Sequence, residues 1–269
     1  MQIIRQSIAY KLCIRRQSMF KLIVTDLDGT LLKTDKTISD FTKDILSNCR
    51  EKGIKIAYAT GRGNPHLILP SEMFDGRIVA NGAQCFVNEK AVYECFLSAE
   101  SARPLLLACH WRGLKTASQF GDWHYANHNP NTAPQIAKTD NIQIVDFNTH
   151  NIDATKVYAW VNTQDDISFI KTHLPEDAWL SVSRDGLAMV MHQNATKAKA
   201  LVTLARHWNI DASEIIAFGD DHNDLDLLAY AGIGVAMGNA LKDVKAASDV
   251  VCDTNDNDGV ARWIEKQLV

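Results

Sequence analysis

The stretch FKLIVTDLDGTLL at residues 20–32 decides the fold class of this chain. Its first part is an almost continuous apolar run, which is typical of a strand that is buried on both faces of a parallel sheet. Its second part changes to two carboxylates and a glycine, Asp26, Asp28 and Gly29. Polar groups at the carboxyl end of a parallel strand lie at the edge where α/β sheets bind ligands. The stretch therefore predicts a buried strand that opens into a functional loop.

The alternation of strands and helices around this stretch predicts the rest of the sheet. Ser39 or Asp40 can cap a helix that Gly53 ends. Further strands are predicted at residues 54–59, 78–80, 215–218, 233–236 and 249–251, and further helices near residue 194 and from about residue 259. This β-α-β pattern predicts an α/β fold with a doubly wound, mostly parallel, Rossmann-like sheet.

The pattern changes between residues 83 and 189. Residues 115–126 read as two strands joined by a turn at Gly121 and Asp122, a hairpin that a purely parallel sheet lacks. Strand-like segments at residues 142–147 and 157–161, a helix at about 165–174 and strands around 184–186 complete this region. We therefore expect an N-terminal extension at residues 1–18, a core domain at residues 19–82 and 190–269, and an inserted α+β domain at residues 83–189.

Composition and charge narrow the range of partners. The chain has 269 residues, with 28 Lys and Arg against 32 Asp and Glu, and this net charge of −4 gives no general attraction to nucleic acid or anionic lipid. The 6 cysteines form no C-x-x-C pair, which excludes a zinc ribbon. No apolar run approaches the roughly 18 residues of a membrane span. We expect a cytoplasmic protein that acts on small substrates. The basic residues 1–18 could be a non-essential extension, a short packed helix or a targeting leader.

Asp26 and Asp28 are the first candidate functional residues. They are two residues apart, so their side chains can point to the same side of the strand end. Two close carboxylates repel each other unless one is protonated or a cation neutralises them. The pair therefore indicates either a bound divalent metal or acid–base chemistry, and Gly29 lets a ligand approach the backbone. A surface turn rich in Asp and Gly fits less well, because an apolar run precedes the pair.

Four motifs in order resemble those of a known family. Asp-Leu-Asp-Gly-Thr at residues 26–30 resembles the first motif of the haloacid dehalogenase-like phosphatases, and the large insertion resembles their Cof-type branch. Residues 60–62, Thr-Gly-Arg, resemble the second motif, Lys197 the third, and residues 219–224 the fourth. Ala198 departs from the glycine that usually follows the lysine, although alanine still permits the helix. The resemblance covers about residues 19–269.

The resemblance implies a phosphatase that depends on Mg²⁺. Asp26 would attack the substrate phosphorus and become an aspartyl-phosphate, while Asp28 would protonate the leaving oxygen and later activate water. The residues expected to bind phosphate are Leu27, Thr60, Gly61, Lys197 and Asn223. The residues expected to hold Mg²⁺ are Asp26, Asp220 and, through its backbone carbonyl, Asp28, with Asp224 orienting Lys197 or a metal-bound water.

By the same resemblance, the inserted domain would be a cap that closes over the phosphate site, excludes water and reads the leaving group. Residues near predicted turns that could read it are Trp123, His124, Tyr125, His128 and Arg184, although the aromatic side chains could equally form the cap core. Sugar phosphates, pyridoxal phosphate and flavin mononucleotide all fit the family as substrates. A sugar phosphomutase or phosphotransferase and a non-catalytic sensor of a phosphorylated metabolite are the alternatives.

Overall fold

The computed structural model describes residues 20–63, 71–128, 141–183 and 186–268. Within these residues the chain forms two β-sheets and seven α-helices. The predicted α/β fold, a doubly wound and mostly parallel sheet with a second unit attached, is confirmed. The extension expected at residues 1–18 lies outside the described residues.

The elements of the described residues are numbered in chain order. The strands are β1 (Leu22–Thr25), β2 (Lys55–Ala59), β3 (Gly76–Val79), β4 (Gln84–Val87), β5 (Lys90–Glu94), β6 (Thr116–Phe120), β7 (Trp123–Ala126), β8 (Asn141–Ile144), β9 (Lys156–Trp160), β10 (Ala178–Val182), β11 (Leu187–His192), β12 (Ile215–Gly219), β13 (Ile233–Ala236) and β14 (Val250–Val251). The helices are α1 (Asp40–Glu51), α2 (Ala99–Trp111), α3 (Gln164–Thr172), α4 (Lys197–His207), α5 (Leu225–Tyr230), α6 (Lys242–Ala247) and α7 (Gly259–Leu268).

The first sheet has the strand order β14-β13-β12-β1-β2-β3-β4-β5. The six strands from β14 to β3 are parallel, and β4 and β5 add an antiparallel edge. β1 lies between β12 and β2 and is completely buried, as its apolar sequence predicts. Helix α1 begins after Ser39, whose hydroxyl accepts a hydrogen bond from the backbone N–H of Thr42, and it buries Ile45 and Cys49 against this sheet.

The hairpin of β4 and β5 joins the first sheet, although it lies inside the range 83–189 that the sequence assigns to the insertion. Its two-residue turn consists of Asn88 and Glu89, both with positive φ. Such turns usually carry glycine at the second position, so this one gave no recognisable signal in the sequence. Helix α2 was also not predicted, because Pro104 interrupts its helical pattern.

The second sheet has the order β10-β11-β9-β6-β7-β8 and is antiparallel except between β7 and β8. The predicted hairpin is confirmed, because Phe120 of β6 pairs with Trp123 of β7 across Gly121 and Asp122. One face of this sheet packs against α2 and α3 in a separate core that includes Leu105, Val157 and Ile170. The other face lies over the carboxyl ends of the first sheet's parallel strands. None of the helices in the described part of the chain is long and apolar enough to cross a membrane.

Candidate active site

Three neighbouring parallel strands of the first sheet each end at a residue that the sequence marked as functional. Asp26 follows β1, Thr60 follows β2 and Asp220 follows β12. All three are buried: their exposed fractions are 6%, 1% and 5%. Because the carboxyl ends of parallel strands share one edge, the order β12-β1-β2 brings these side chains together, as the sequence predicted.

Lys197 is the buried cation of this edge. It is the first residue of α4 and only 1% exposed. Its Nζ donates hydrogen bonds to Asp26 Oδ1 and to Asp224 Oδ1, each at 2.6 Å. Burial opposes the charge, but Asp224 and Asp26 together hold the pKa of Lys197 above its usual value, so the side chain stays an ammonium. The positive end of a helix disfavours a cation in its first turn, and the two carboxylates offset this effect.

Both carboxylate oxygens of Asp224 accept hydrogen bonds. While its Oδ1 accepts from Lys197, its Oδ2 accepts from the backbone N–H groups of Asp220 at 3.0 Å and Asp221 at 3.1 Å. This carboxylate therefore fixes both the ammonium and the start of the loop after β12. The same loop needs Gly219, because a Cβ there would lie 2.5 Å from the Cβ of Asp224.

A cluster of three buried carboxylates lies at this edge. One oxygen from each of Asp26, Asp220 and Asp224 lies within 4.8 Å of the others. Burial is the main reason that the pKa of Asp26 lies well above its usual value, and it raises the pKa of Asp220 to about 6, with repulsion from Asp224 adding to both. Thr30 steadies Asp220 by donating to its Oδ1 at 3.0 Å.

Gly29 makes room for this cluster. Its φ is +84°, and a Cβ at this position would lie 2.6 Å from Asp220 Oδ2. Any side chain would therefore meet the carboxylate and would also strain the backbone. The glycine that the sequence singled out is required by the close approach of the loop to Asp220.

Asp28 lies in a different electrostatic setting from Asp26. Its side chain is 36% exposed and forms ion pairs with Arg62 and Lys36. Arg62 Nε and Nη2 contact its two oxygens at 2.6 and 2.7 Å, and Lys36 Nζ contacts Oδ1 at 2.8 Å. Burial alone would raise the pKa of Asp28, but the hydrogen bonds from Arg62 and Lys36 lower it to about 2. In this arrangement Asp28 is ionised, whereas the expected proton donor must carry a proton.

Thr60 and Asn223 are joined through a residue that the sequence reading did not select. Asn81 is completely buried with φ +55°, its backbone N–H donates to the Thr60 carbonyl, and its Oδ1 accepts from Asn223 Nδ2 at 2.9 Å. The Thr60 hydroxyl accepts from the backbone N–H of Arg62 at 3.1 Å. The Asn-Gly pair after a buried strand was visible in the sequence and could have identified Asn81 by analogy with Asp26.

A cavity of about 930 Å³ lies between the first sheet's carboxyl edge and the second sheet. On the first side it is lined by most of the motif residues, among them Asp26, Asp28, Thr60, Gly61, Asp220 and Asn223. On the second side its described lining residues are Gln119, His124, Lys156, Tyr158, Trp160, Ser183, Leu187 and Met189. Its volume suits a small ligand.

The second sheet brings only part of the expected leaving-group residues to this cavity. His124 lines it, and its Nδ1 lies 2.6 Å from the Tyr158 hydroxyl. Trp123 and Tyr125 do not line it, because neighbours on a strand point to opposite faces, and Tyr125 packs on His150 instead. His128 contacts the Trp160 ring from the side, and Arg184 lies outside the described residues.

Sequence reasoning missed the other residues on this face. The strand sequence Lys-Val-Tyr-Ala-Trp of β9 contains the signal, because period-two alternation sends Lys156, Tyr158 and Trp160 to the same side. The alternation does not show which face of the sheet lies towards Asp26, so it could not identify these residues as part of a site.

Comparison with known proteins agrees with this class of fold and site. Residues 23–264 match the family model of haloacid dehalogenase-like hydrolases. A phosphatase of Bacillus subtilis named for 5-amino-6-(5-phospho-D-ribitylamino)uracil is 27% identical over 264 residues, which cover 91% of this chain and 96% of that protein. The HMP-PP phosphatase of Yersinia pestis is 26% identical over 240 residues, covering 84% and 87%.

Solved structures give the same result. A sugar phosphatase of subclass IIB in this superfamily is similar with a TM-score of 0.81 at 26% identity, covering 91% of this chain and 98% of that one. A phosphatase of the superfamily from Bacteroides thetaiotaomicron has a TM-score of 0.79 at 27% identity, covering 93% and 95%. The chain therefore belongs to the haloacid dehalogenase-like hydrolases. The family is one of hydrolases, and the relatives named above are phosphatases, which is the class of enzyme that the motifs predicted.

Proposed function

We propose that the protein hydrolyses small phosphorylated metabolites with Mg²⁺ bound, through a phosphoenzyme on Asp26. The observation that carries the proposal is the contact between Lys197 Nζ and Asp26 Oδ1 at 2.6 Å, inside a buried carboxylate cluster. The ammonium fixes the carboxylate by one oxygen, and among the described residues no hydrogen bond engages the other, Oδ2. A carboxylate that is oriented and stripped of water in this way is suited to nucleophilic attack on phosphorus.

The loops around Asp26 supply the phosphate contacts in this proposal. Because the Thr60 hydroxyl accepts a bond from the Arg62 backbone, its own proton is free to donate to a phosphate oxygen. Asn223 uses one amide proton on Asn81 and keeps a second for the substrate. The backbone N–H groups of Leu27 and Gly61, together with the Lys197 ammonium, complete the proposed phosphate site.

The role of Asp28 as acid and base requires a change in its partners. A substrate phosphate dianion competes with Asp28 for Arg62 and Lys36, which now form its ion pairs. A carboxyl that loses two cations while it stays partly buried has a higher pKa and can hold a proton for the leaving oxygen. We therefore propose that substrate binding, rather than the resting arrangement, prepares Asp28 for its first task.

The charge and chemistry of the cluster fit Mg²⁺. In this cluster three buried carboxylates face one buried ammonium, that of Lys197, which leaves negative charge that a divalent cation would balance. Asp26 and Asp220, with the backbone carbonyl of Asp28, would hold the ion through oxygen atoms alone. Asp224 has both oxygens occupied and therefore supports the site without binding the ion. When bound, Mg²⁺ would withdraw charge from the phosphoryl oxygens.

The second sheet, with α2 and α3, acts as the cap in this proposal. It lies over the same cavity, and Lys156 of β9 already contacts the loop after β2, because its Nζ donates to the Gly61 carbonyl at 3.2 Å. Closing this unit over a bound phosphate would exclude water from the ester during attack. The inserted unit proposed from the sequence thus keeps its role, with the β4–β5 hairpin assigned to the first sheet.

The test is release of inorganic phosphate by the full chain from a panel of phosphorylated metabolites. We expect release that requires Mg²⁺, stops with chelator and falls by about 10⁴-fold in Asp26→Asn. The matched control is Asp226→Asn, an exposed carboxylate on α5 that should keep native rates. No release from any ester by the folded protein, or equal rates in Asp26→Asn, would contradict the proposal.

A further inference from the structure

The second sheet lines one side of the cavity, here called the cap side, with residues to which the proposed function gives no role in substrate recognition. Six of its described residues lie on three paired strands: Lys156, Tyr158 and Trp160 on β9, Gln119 on β6, and Leu187 and Met189 on β11. The register sets Gln119 opposite Lys156, Met189 opposite Tyr158, and Leu187 opposite Trp160. The face is therefore polar at one end of β9 and apolar and aromatic at the other.

The polar end lies next to the phosphate loop. Lys156 Nζ donates to the Gly61 carbonyl at 3.2 Å, and a Cβ on Gly63 would lie 2.0 Å from Gln119 Nε2. The aromatic residues Tyr158 and Trp160 follow about 7 and 13 Å further along β9, because a strand rises about 3.3 Å per residue. A leaving group that extends away from Asp26 along β9 would meet Lys156 and Gln119 first and the rings of Tyr158 and Trp160 next.

The aromatic end is built to be rigid and apolar. The Tyr158 hydroxyl is already bonded to His124 Nδ1 at 2.6 Å, and the rings of Tyr158 and Trp160 pack edge to face at 5.3 Å. Met189 and Leu187 add a thioether and an aliphatic chain beside them. Sugar hydroxyls that lie against this surface would lose hydrogen bonds to water without replacement, whereas the face of a planar ring would gain contacts.

The polar end favours a ligand that has acceptor oxygens and one hydrogen-bond donor. Among the described residues with which the second sheet lines the cavity, Lys156 is the only cation and there is no carboxylate. Burial lowers the pKa of His124 to about 4, with Lys156 adding to the effect, so this imidazole is neutral. Gln119 is 3% exposed, its Nε2 donates to the Gly121 carbonyl at 3.2 Å, and its Oε1 has no partner within the described part of the chain. A buried carbonyl oxygen without a donor is unfavourable and calls for one from a ligand.

We infer that the preferred substrates are phosphate esters of a planar heteroaromatic ring that carries an acceptor oxygen for Lys156 and an N–H or O–H donor for Gln119. Trp160 and Tyr158 contact the ring, and the phosphate lies at Asp26. This inference rests on the proposed phosphatase activity and specifies its substrate class. It makes Gln119, Lys156 and Trp160 specificity-determining residues.

The test compares four esters that all carry the phosphate on the CH₂ group of a six-membered ring: pyridoxal 5′-phosphate, benzyl phosphate, cyclohexylmethyl phosphate and glucose 6-phosphate. Because the leaving groups are all primary alcohols, the chemical step is comparable. Differences in kcat/KM therefore measure how well the cap binds each leaving group. We expect the order pyridoxal 5′-phosphate, benzyl phosphate, then the two non-planar esters, with at least tenfold between the first and glucose 6-phosphate.

Two variants separate recognition from structure. Lys156→Met should lower kcat/KM for pyridoxal 5′-phosphate at least tenfold more than for benzyl phosphate. Of these two esters, only pyridoxal 5′-phosphate carries oxygen atoms on substituents of its ring. Trp160→Leu should lower kcat/KM for both planar esters relative to glucose 6-phosphate. The controls are Lys171→Met and Trp111→Leu, exposed residues on α3 and α2 on the far side of the second sheet.

Three outcomes overturn the inference. In the first, glucose 6-phosphate equals or exceeds pyridoxal 5′-phosphate in kcat/KM. In the second, Lys156→Met lowers kcat/KM equally for all esters, which would mean that this lysine serves only the phosphate loop. In either case, Mg²⁺-dependent turnover that Asp26→Asn abolishes would leave the proposed function standing while the substrate class fails. The third outcome is no turnover of any of the four esters by the native chain. If the chain hydrolyses other esters of the panel, this outcome removes the substrate class alone, whereas no turnover of any ester in the panel removes both.

Discussion

The two walls of the cavity are built on opposite principles. On the first sheet, buried charged groups contact one another: Lys197 contacts two carboxylates at 2.6 Å, and Asp224 accepts three hydrogen bonds. On the second sheet, rings, a thioether and a buried amide with an unpaired oxygen face the same space. The first wall is organised around charge that must be balanced, and the second around shape. Substitutions should therefore change stability on the first wall, in a direction set by the charge that is removed, and mainly change selectivity on the second.

The largest effect on stability is expected from Lys197→Met. Removing the ammonium leaves Asp26 and Asp224 buried without their cation, which costs about 3–5 kcal/mol of unfolding free energy. Urea unfolding at pH 7 measures this. Lys199 is exposed and lies two residues further along α4. The control variant Lys199→Met should change the free energy of unfolding by less than about 0.5 kcal/mol. Equal stability of the two variants would show that the charges of the first wall are not balanced in the way described.

Asp220→Asn should act in the opposite direction. The pKa of Asp220 is raised from 3.8 to about 6, so the native state binds its proton more tightly than the unfolded chain does. Stability contributed by this group is therefore lost as the pH rises from about 4 to 6, by about 3 kcal/mol at 1.36 kcal/mol per pKa unit. Without added metal, the variant should be the more stable protein at pH 8 and lose this advantage below pH 4.

Thermal unfolding across that pH range, with and without Mg²⁺, checks this prediction. Mg²⁺ should raise the unfolding temperature of the native chain and have little effect on Asp220→Asn, because a ligand stabilises only the state that binds it. A variant that is less stable than the native chain at pH 8 in chelator would contradict the electrostatic account of the cluster.

A smaller effect is expected at the edge of the first wall from Lys36→Met. Lys36 is half exposed and is one of two cations that hold the pKa of Asp28 at about 2. Because an exposed ion pair is worth less than about 1 kcal/mol, its loss should raise this pKa by less than about one unit. Carboxyl NMR titration of Asp28 measures the change, with Lys43→Met, which pairs with Asp40, as the control. A shift of several units would mean that Arg62 contributes little.

The smallest effect on stability is expected on the second wall from Gln119→Leu. The substitution removes an amide whose Oε1 is unpaired among the described residues, and the Gly121 carbonyl that loses its donor lies at an exposed turn. Gains and losses nearly cancel, so we expect a change in unfolding free energy within about 1 kcal/mol of zero. Chemical denaturation measures it. A loss above about 2 kcal/mol would indicate that this amide supports the sheet and is not reserved for a ligand.

The same contrast explains what the sequence could reveal. The meeting of Asp26, Thr60 and Asp220 at one edge of the sheet was predictable, because each follows a buried strand and topology alone then brings them together. The electrostatic state of Asp28 was not predictable, because Lys36 and Arg62 reach it from separate loops. Neither strand alternation nor the motif spacing carries information on such contacts.

On the second wall, the sequence indicated the strands but not which face mattered. It suggested Trp123, His124 and Tyr125 together, although a strand cannot present all three to one side. It passed over Lys156 and Trp160 because their alternation is equally typical of an ordinary half-buried strand. One face of the sheet packs against α2 and α3, so the other face lies towards Asp26. This packing depends on contacts between residues that are far apart in the sequence.

The central claim is that Asp26 forms a covalent phosphoenzyme, and rapid acid quenching during turnover of a hydrolysed ester tests it most directly. Mass spectrometry of the digested protein should find a phosphoryl group on the peptide that contains Asp26. The group should be labile to hydroxylamine, as an acyl phosphate is, and absent from Asp26→Asn. Turnover with no phosphoryl group on that peptide, or a phosphoryl group on another residue, would contradict the account.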